Sequence, residues 1–206
     1  MVFDTTLALA AIIGYFVGSL PFGYLVAKAN GVDIFSVGSC SPGATNVKRS
    51  VGPKAGNIVF LLDYLKGLVA AGWLLFMPDK ENAVMVYSLI GLVAAVLGHS
   101  FSIFTKFRGG KGVATMLGGV TALMYVAAAV GIVLWLIVFY STRYVSVASI
   151  LMAASLPLTN YIVGVPVVLF WFSIAIAVVI IVRHKSNIVR LMKGEENRFE
   201  RKSKSN

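Results

Sequence analysis

Residues 112–142 read GVATMLGGVTALMYVAAAVGIVLWLIVFYST and residues 144–182 read YVSVASILMAASLPLTNYIVGVPVVLFWFSIAIAVVIIV, with Arg143 the lone charge between them. A membrane-spanning helix needs about 20 mainly apolar residues. Uncharged runs of 31 and 39 residues in succession therefore predict helices in a bilayer. Outward from this stretch, further uncharged runs occupy 5–27 and 82–105, and one more span, near 55–77, is interrupted by Asp63 and Lys66. The whole chain agrees, with mean hydropathy +0.87 and 13% charged residues among 206, where a soluble domain carries roughly 25%. A water-soluble monomer is excluded. The predicted class is all-α: a single membrane-embedded domain over 1–206, built as a polytopic helical bundle whose first partner is the lipid bilayer.

Basic residues set the expected topology. The loop 28–54 carries Lys28, Lys48, Arg49 and Lys54, the link 106–111 carries Lys106, Arg108 and Lys111, and the tail 183–206 holds eight basic residues. The loop at 78–82 is short and acidic on balance, with Asp79, Lys80 and Glu81. The positive-inside rule puts the three basic segments in the cytoplasm and the N-terminus outside. The chain then crosses an even number of times between 111 and 183. Four crossings give seven spans with Arg143 inside; two give five. Seven is favoured, because Arg143 and a turn formed by Pro157 and Pro166 both fit it. The first apolar run lacks a basic n-region, so no cleaved signal peptide is expected. Cys40 is the only cysteine, which excludes an intramolecular disulfide. The net charge of +10 is spread between hydrophobic spans, which argues against nucleic acid as a partner.

The unusual sequence gathers on the predicted inner face. The first segment is Gly38-Ser39-Cys40-Ser41-Pro42-Gly43-Ala44-Thr45-Asn46-Val47-Lys48-Arg49. Its glycines let backbone N–H groups converge, Ser39 and Thr45 add hydroxyls, and Arg49 adds a bidentate cation, a combination suited to phosphate. The second, Lys106-Phe107-Arg108-Gly109-Gly110-Lys111-Gly112, stands where a helix begins and again suits an anion. The third, Arg183-His184-Lys185-Ser186-Asn187, sets an imidazole and an amide among cations. Any one of these alone reads as a turn with topology signals; three on one face point to a shared anionic site. Asp63 and Lys66, three apart, share a helical face and neutralise one another, in a structural or a catalytic role. His99 reads as a packing histidine. Ser146 and Ser149 either bond back to their own helix or face the site. No His, Cys, Asp and Glu cluster has metal-ligand spacing, so neither a metal nor another cofactor is expected.

Taken in order, Gly38-Ser39-x-x-Pro42-Gly43-Ala44-Thr45-Asn46, Gly98-His99, Gly109-Gly110-Lys111-Gly112-Val113-Ala114-Thr115 and Arg183-His184-x-x-Asn187-Ile188-x-Arg190-Leu191 closely resemble the bacterial acyl-phosphate:glycerol-3-phosphate acyltransferases, the PlsY family. Gly18-Ser19-Leu20-Pro21 and Asp63-x-x-Lys66-Gly67 fit as well, so the resemblance covers nearly the whole chain. Arg108 replaces the family's usual lysine, Ser102 a common proline, and Cys40 fills the third position of the first motif. The resemblance implies a seven-helix enzyme of the bacterial inner membrane with its active site towards the cytoplasm. It implies transfer of an acyl group from acyl phosphate to the 1-hydroxyl of glycerol 3-phosphate, the first acylation of phospholipid synthesis, without direct use of acyl-CoA or acyl carrier protein.

By the same resemblance, Ser39, Lys111, His184 and Asn187 are the expected catalytic residues and Arg49 an expected substrate-binding one; Thr45, Asn46, Arg108, Gly109 and Gly110 of the same loops, and Ser146 and Ser149 with Arg143 inside, are expected at substrate as well. Acyl phosphate is already reactive, so positioning and charge compensation carry the catalysis, with the amides around Gly109 and Gly110 expected at the carbonyl oxyanion. The acyltransferase signature of His, four residues, then Asp is missing, since Phe104 follows His99 and Val189 follows His184 at that spacing. A carrier for organic phosphates would also need intramembrane cations, but alternating access needs polar groups on both faces. A purely structural subunit would have no use for three anion-binding loops.

Overall fold

A computed structural model of the chain describes residues 5–76 and 81–199. Most of the acidic loop expected at 78–82, the residues before Thr5 and the end of the basic tail lie outside these. Every regular element among the described residues is helical: α1 (Thr5–Ser19), α2 (Phe22–Ala29), α3 (Ala44–Ser50), α4 (Pro53–Gly72), α5 (Glu81–Ser100), α6 (Val113–Leu123), α7 (Tyr125–Thr142), α8 (Val145–Val163), α9 (Val167–Arg183) and α10 (Lys185–Met192), with short 3-10 turns at Trp73–Phe76 and Ile103–Thr105. Among the described residues, five spans are long and apolar enough to cross a membrane, namely Thr5–Ala29, Pro53–Phe76, Ala83–Thr105, Tyr125–Thr142 and Val145–Val163. The pair α9–α10, bent by 55°, makes a sixth when counted as one. Helix α6 is apolar but has 11 residues, a rise of about 16 Å, roughly half the hydrocarbon thickness.

The two long uncharged stretches divide where the backbone cannot continue. Residues 112–142 break at Met124, and 144–182 break at Gly164–Pro166, where Gly164 takes a left-handed φ of 73° and Pro166 precedes α9. Pro157, expected in that turn, lies inside α8 instead. A membrane helix tolerates an internal proline because neighbours re-satisfy the freed backbone.

The chain folds as two compact units, residues 1–123 and 124–206. In the first, α1 and α5 meet through small residues. A Cβ on Gly14 would collide with the carbonyl of Gly91, one on Gly18 with Ala95, and one on Gly98 with the carbonyl of Tyr15. Lipid tails offer no hydrophobic drive between helices, so close backbone approach through such residues supplies the packing. Helices α4 and α6 meet in the same way, Gly67 against Thr115 and Gly118 against Tyr64. Around the first motif sits a separate small core of Ala27, Ile34, Val47 and Val59, flanked by Tyr24 and Phe35.

The second unit is an α7–α8–α9 hairpin stack closed by its C-terminal segment. Residues 193–199 fold back on the α7–α8 turn instead of trailing as a free tail. The Phe199 N–H donates to the Arg143 carbonyl at 3.1 Å, Arg198 Nε to the Thr142 carbonyl at 3.2 Å, and the Phe199 ring packs edge-on against Phe139. The Arg143 turn and the His184 region are therefore at one end of this unit.

Candidate active site

The first motif is shaped by Asn46. Its carboxamide is buried; Nδ2 donates to the carbonyls of Val37 at 3.0 Å and Ser41 at 2.9 Å, while Oδ1 accepts from the Ser39 N–H at 3.0 Å. Expected at substrate, Asn46 is spent on curling its own loop. Gly38, at φ 58°, lies so close to it that a Cβ would strike Oδ1. The curl leaves Ser39 and Cys40 exposed, Cys40 at a left-handed φ of 51°. Thr45 is half-buried in the first turn of α3 and Arg49 is exposed near its end.

The second loop rises from α5. Ser102 caps the turn that follows α5: its Oγ accepts from the Phe104 N–H at 3.2 Å and donates to the Ser19 carbonyl at 2.6 Å. Lys106 and Phe107 then take φ of 53° and 60° in succession, a left-handed pair that non-glycine residues adopt at about 1–3 kcal/mol each. Thr105 Oγ1 donates to the Arg108 carbonyl at 2.6 Å. Arg108 lies over the Phe35 ring, 4.2 Å from its centroid, and its guanidinium donates to the Phe35 carbonyl at 3.4 Å. It thus ties the second loop to the first. The Gly110 N–H donates to the His99 carbonyl at 3.2 Å, so of the two glycine amides expected at an oxyanion this one is already engaged. Lys111 and Gly112 lead directly into the N-terminus of α6.

Between the loops lies a narrow cleft lined by Ser19–Gly23, Pro42, Arg108 and Gly109, together with Asp63, Lys66 and His99. Lys66 Nζ is 2.8 Å from Asp63 Oδ1, as their spacing predicts, and also donates to the Leu20 carbonyl at 3.2 Å. That carbonyl faces the break where Pro21 interrupts α1–α2, so the pair caps an opened helix as well as neutralising itself. His99, read as a packing residue, joins them, with Nδ1 3.6 Å from Asp63 Oδ1.

In the second unit, His184 is buried where α9 bends into α10, its Nδ1 2.8 Å from the Ile180 carbonyl. A carbonyl only accepts, so Nδ1 carries the proton and Nε2 is the chemically variable nitrogen. Asn187 Nδ2 donates to Glu196 Oε1 at 2.7 Å, Ser146 Oγ donates to the same oxygen at 2.9 Å, and Arg190 Nε donates to Oε2 at 2.8 Å. Burial opposes ionisation of Glu196, but these donors outweigh it and hold the carboxyl below its ordinary value. Ser146 is thus brought to Asn187 through Glu196, whereas Ser149 accepts from Trp135 Nε1 at 3.2 Å within the helix pair. Glu196 was not foreseen. Its one sequence signal is an acid within a run of bases.

Residues 8–194 match the model of the family described as glycerol-3-phosphate acyltransferase. Curated proteins named glycerol-3-phosphate acyltransferase include one from Endomicrobium trichonymphae, 44% identical over 91% of this chain and 93% of its own, and one from Aquifex aeolicus, 44% identical over 91% and 96%. The crystal structure of PlsY (YgiH), an integral membrane glycerol 3-phosphate acyltransferase, in its glycerol 3-phosphate form superposes with a TM-score of 0.86 at 40% identity, covering 94% of this chain and 96% of that one.

Proposed function

Because this chain belongs to the glycerol-3-phosphate acyltransferase family, we propose that it moves an acyl group from acyl phosphate to the 1-hydroxyl of sn-glycerol 3-phosphate, giving lysophosphatidate and inorganic phosphate. The observation that carries this reading is the clasp of Arg108 on Phe35, which joins the loop of Ser39 to the loop that leads to Lys111, in a chain without a His–Asp general-base pair of acyltransferase spacing. Phosphate binding and positioning are what such a set can do.

Arg49 and Lys111 serve glycerol 3-phosphate, with Thr45 adding a hydroxyl; Ser39, His184 and Asn187 serve the phosphate of the donor. The Gly109 amide serves the acyl oxyanion. Asn46 and Ser146 act through others, the first by holding Ser39, the second by holding Glu196 against Asn187. Arg108 acts as the clasp between loops, and Ser149 as a packing partner of Trp135. A phosphate oxygen of the donor accepts the hydroxyl proton as the C–O bond to glycerol forms and the acyl–phosphate bond breaks, so inorganic phosphate leaves carrying that proton. No cofactor enters this scheme. The protein works as one domain in the inner membrane of a bacterium, crossing seven times with the loops, Arg143 and the C-terminus on the cytoplasmic side.

The test is purified protein given acyl phosphate and labelled glycerol 3-phosphate, with acyl-CoA as a parallel donor. Lysophosphatidate from acyl phosphate is expected. Product from acyl-CoA alone, or from neither, overturns the donor assignment.

A further inference from the structure

His99 closes α5 beneath the second loop, and the loop is laid directly on it. The Gly110 N–H donates to the His99 carbonyl at 3.2 Å. The three atoms nearest to a Cβ built on Gly110 are Nε2, Cε1 and Cδ2 of the His99 ring, with Nε2 inside contact distance. On its other edge, the ring has Nδ1 3.6 Å from Asp63 Oδ1, and that carboxylate is fixed by Lys66 at 2.8 Å. The imidazole is thus wedged between a braced carboxylate and the floor of the loop.

Gly110 is not in the left-handed region, so its backbone would accept alanine. What excludes a side chain there is the ring of His99. Gly109 is excluded differently, because its Cβ would meet the main-chain carbonyls of His99 and Ser100, which no side-chain change removes.

We propose that His99 is a positioning residue of the acyl transfer: its ring, braced by Asp63, sets the height of Gly109-Gly110-Lys111 and so places Lys111 for the phosphate of glycerol 3-phosphate. His99 itself touches no substrate. The inference rests on the reading that this loop holds glycerol 3-phosphate. A loop displaced by about an ångström loses up to a hundredfold in rate without any group being removed from the site.

The experiment compares full-length, membrane-extracted His99→Ala, Gly110→Ala, the double variant, Gly109→Ala, Gly109→Ala with His99→Ala, and Lys111→Ala. It reads KM for each substrate, kcat and the thermal midpoint. His99→Ala and Gly110→Ala are each expected to raise KM for glycerol 3-phosphate about tenfold, with KM for the acyl donor changed less than about twofold. In the double variant the methyl enters the space the ring vacated. Its KM is therefore expected within about threefold of His99→Ala alone, not at the product of the two effects. Gly109→Ala is expected to gain nothing from His99→Ala. If His99→Ala fails to fold, His99→Gln, which keeps a polar group towards Asp63 but lacks the ring, takes its place in the cycle. Strictly multiplicative effects, or an unaltered KM in the His99 variant while Gly109→Ala is impaired, overturn the positioning role alone. Unaltered KM for glycerol 3-phosphate in both Lys111→Ala and Gly109→Ala removes the substrate from the loop, and the inference with it.

Discussion

Arg49 stands exposed near the C-terminal end of α3, on a helix anchored by Val47 in the small core around the first motif. A cation so mounted is presented at the surface by its helix, and its removal is expected to leave a bound phosphate short of a charge-assisted bond. Arg49→Ala is expected to raise KM for glycerol 3-phosphate and to lower kcat/KM by about one to two decades, from about 1.5–3 kcal/mol of lost interaction; steady-state kinetics checks it. His184 makes a sharper case. With its Nδ1 proton committed to the Ile180 carbonyl, Nε2 donates to phosphate only as imidazolium and accepts a proton only as neutral imidazole. A phosphate ligand therefore predicts activity that falls as pH rises through the His184 titration, a limb absent from His184→Asn. A general base predicts the opposite slope, with imidazole rescuing a His184→Ala variant. The pH profile of kcat/KM for wild type and both variants decides between them. The loops that carry these residues were legible as motifs, but the hydrogen-bond partners within them were not: Asn46 suits phosphate by type, yet its carboxamide is taken up by its own loop.

Among elements, the segment after α10 shows how a short helix is kept in place. Eight residues do not hold a helix in water on propensity alone, so α10 depends on the Glu196 strap, which gathers Ser146, Asn187 and Arg190 onto one carboxylate. Glu196→Gln keeps the shape but loses the charge, and is expected to lower the thermal midpoint and cut kcat about tenfold or more through a loosened Asn187; scanning calorimetry and kinetics read both. Because the folded carboxyl titrates below its ordinary value, the strap's stabilisation is fully present above the ordinary glutamate range and is lost as pH falls through the depressed value. Acid inactivation on that limb is expected to vanish in Glu196→Gln. Sequence reading found the third motif but neither the helix that carries it nor the strap, since Glu195 and Glu196 are indistinguishable as neighbours in a chain and Ser146 lies fifty residues away. Likewise Pro157 read as a turn former, where the bilayer context let α8 run through it.

For the molecule as a whole, the positive-inside count and the fold-back of residues 193–199 on the Arg143 turn lead to one expectation. Arg143→Cys in a Cys40→Ser background resists a membrane-impermeant thiol reagent in intact cells and reacts in inverted vesicles, with full labelling after denaturation as the reference. Labelling from the outside restores five spans. Helix boundaries were legible where Arg143 and Pro166 punctuated the apolar runs; the break at Met124, flanked by apolar residues on both sides, left no such mark.

Asp63 and Lys66 bear on how the protein enters the bilayer at all. Each alone costs about 2.5–3.5 kcal/mol at the centre of an inserting helix, enough together to offset much of the apolar gain of α4. Joined at 2.8 Å and satisfied further by the Leu20 carbonyl, they need α1–α2 already waiting in the membrane. Biogenesis is thereby ordered by a contact that lines the cleft: the first span serves as an intramolecular insertion partner for α4. A chain stripped of residues 1–29 is expected to release α4 from the translocon into quality control, whatever the state of its substrate loops.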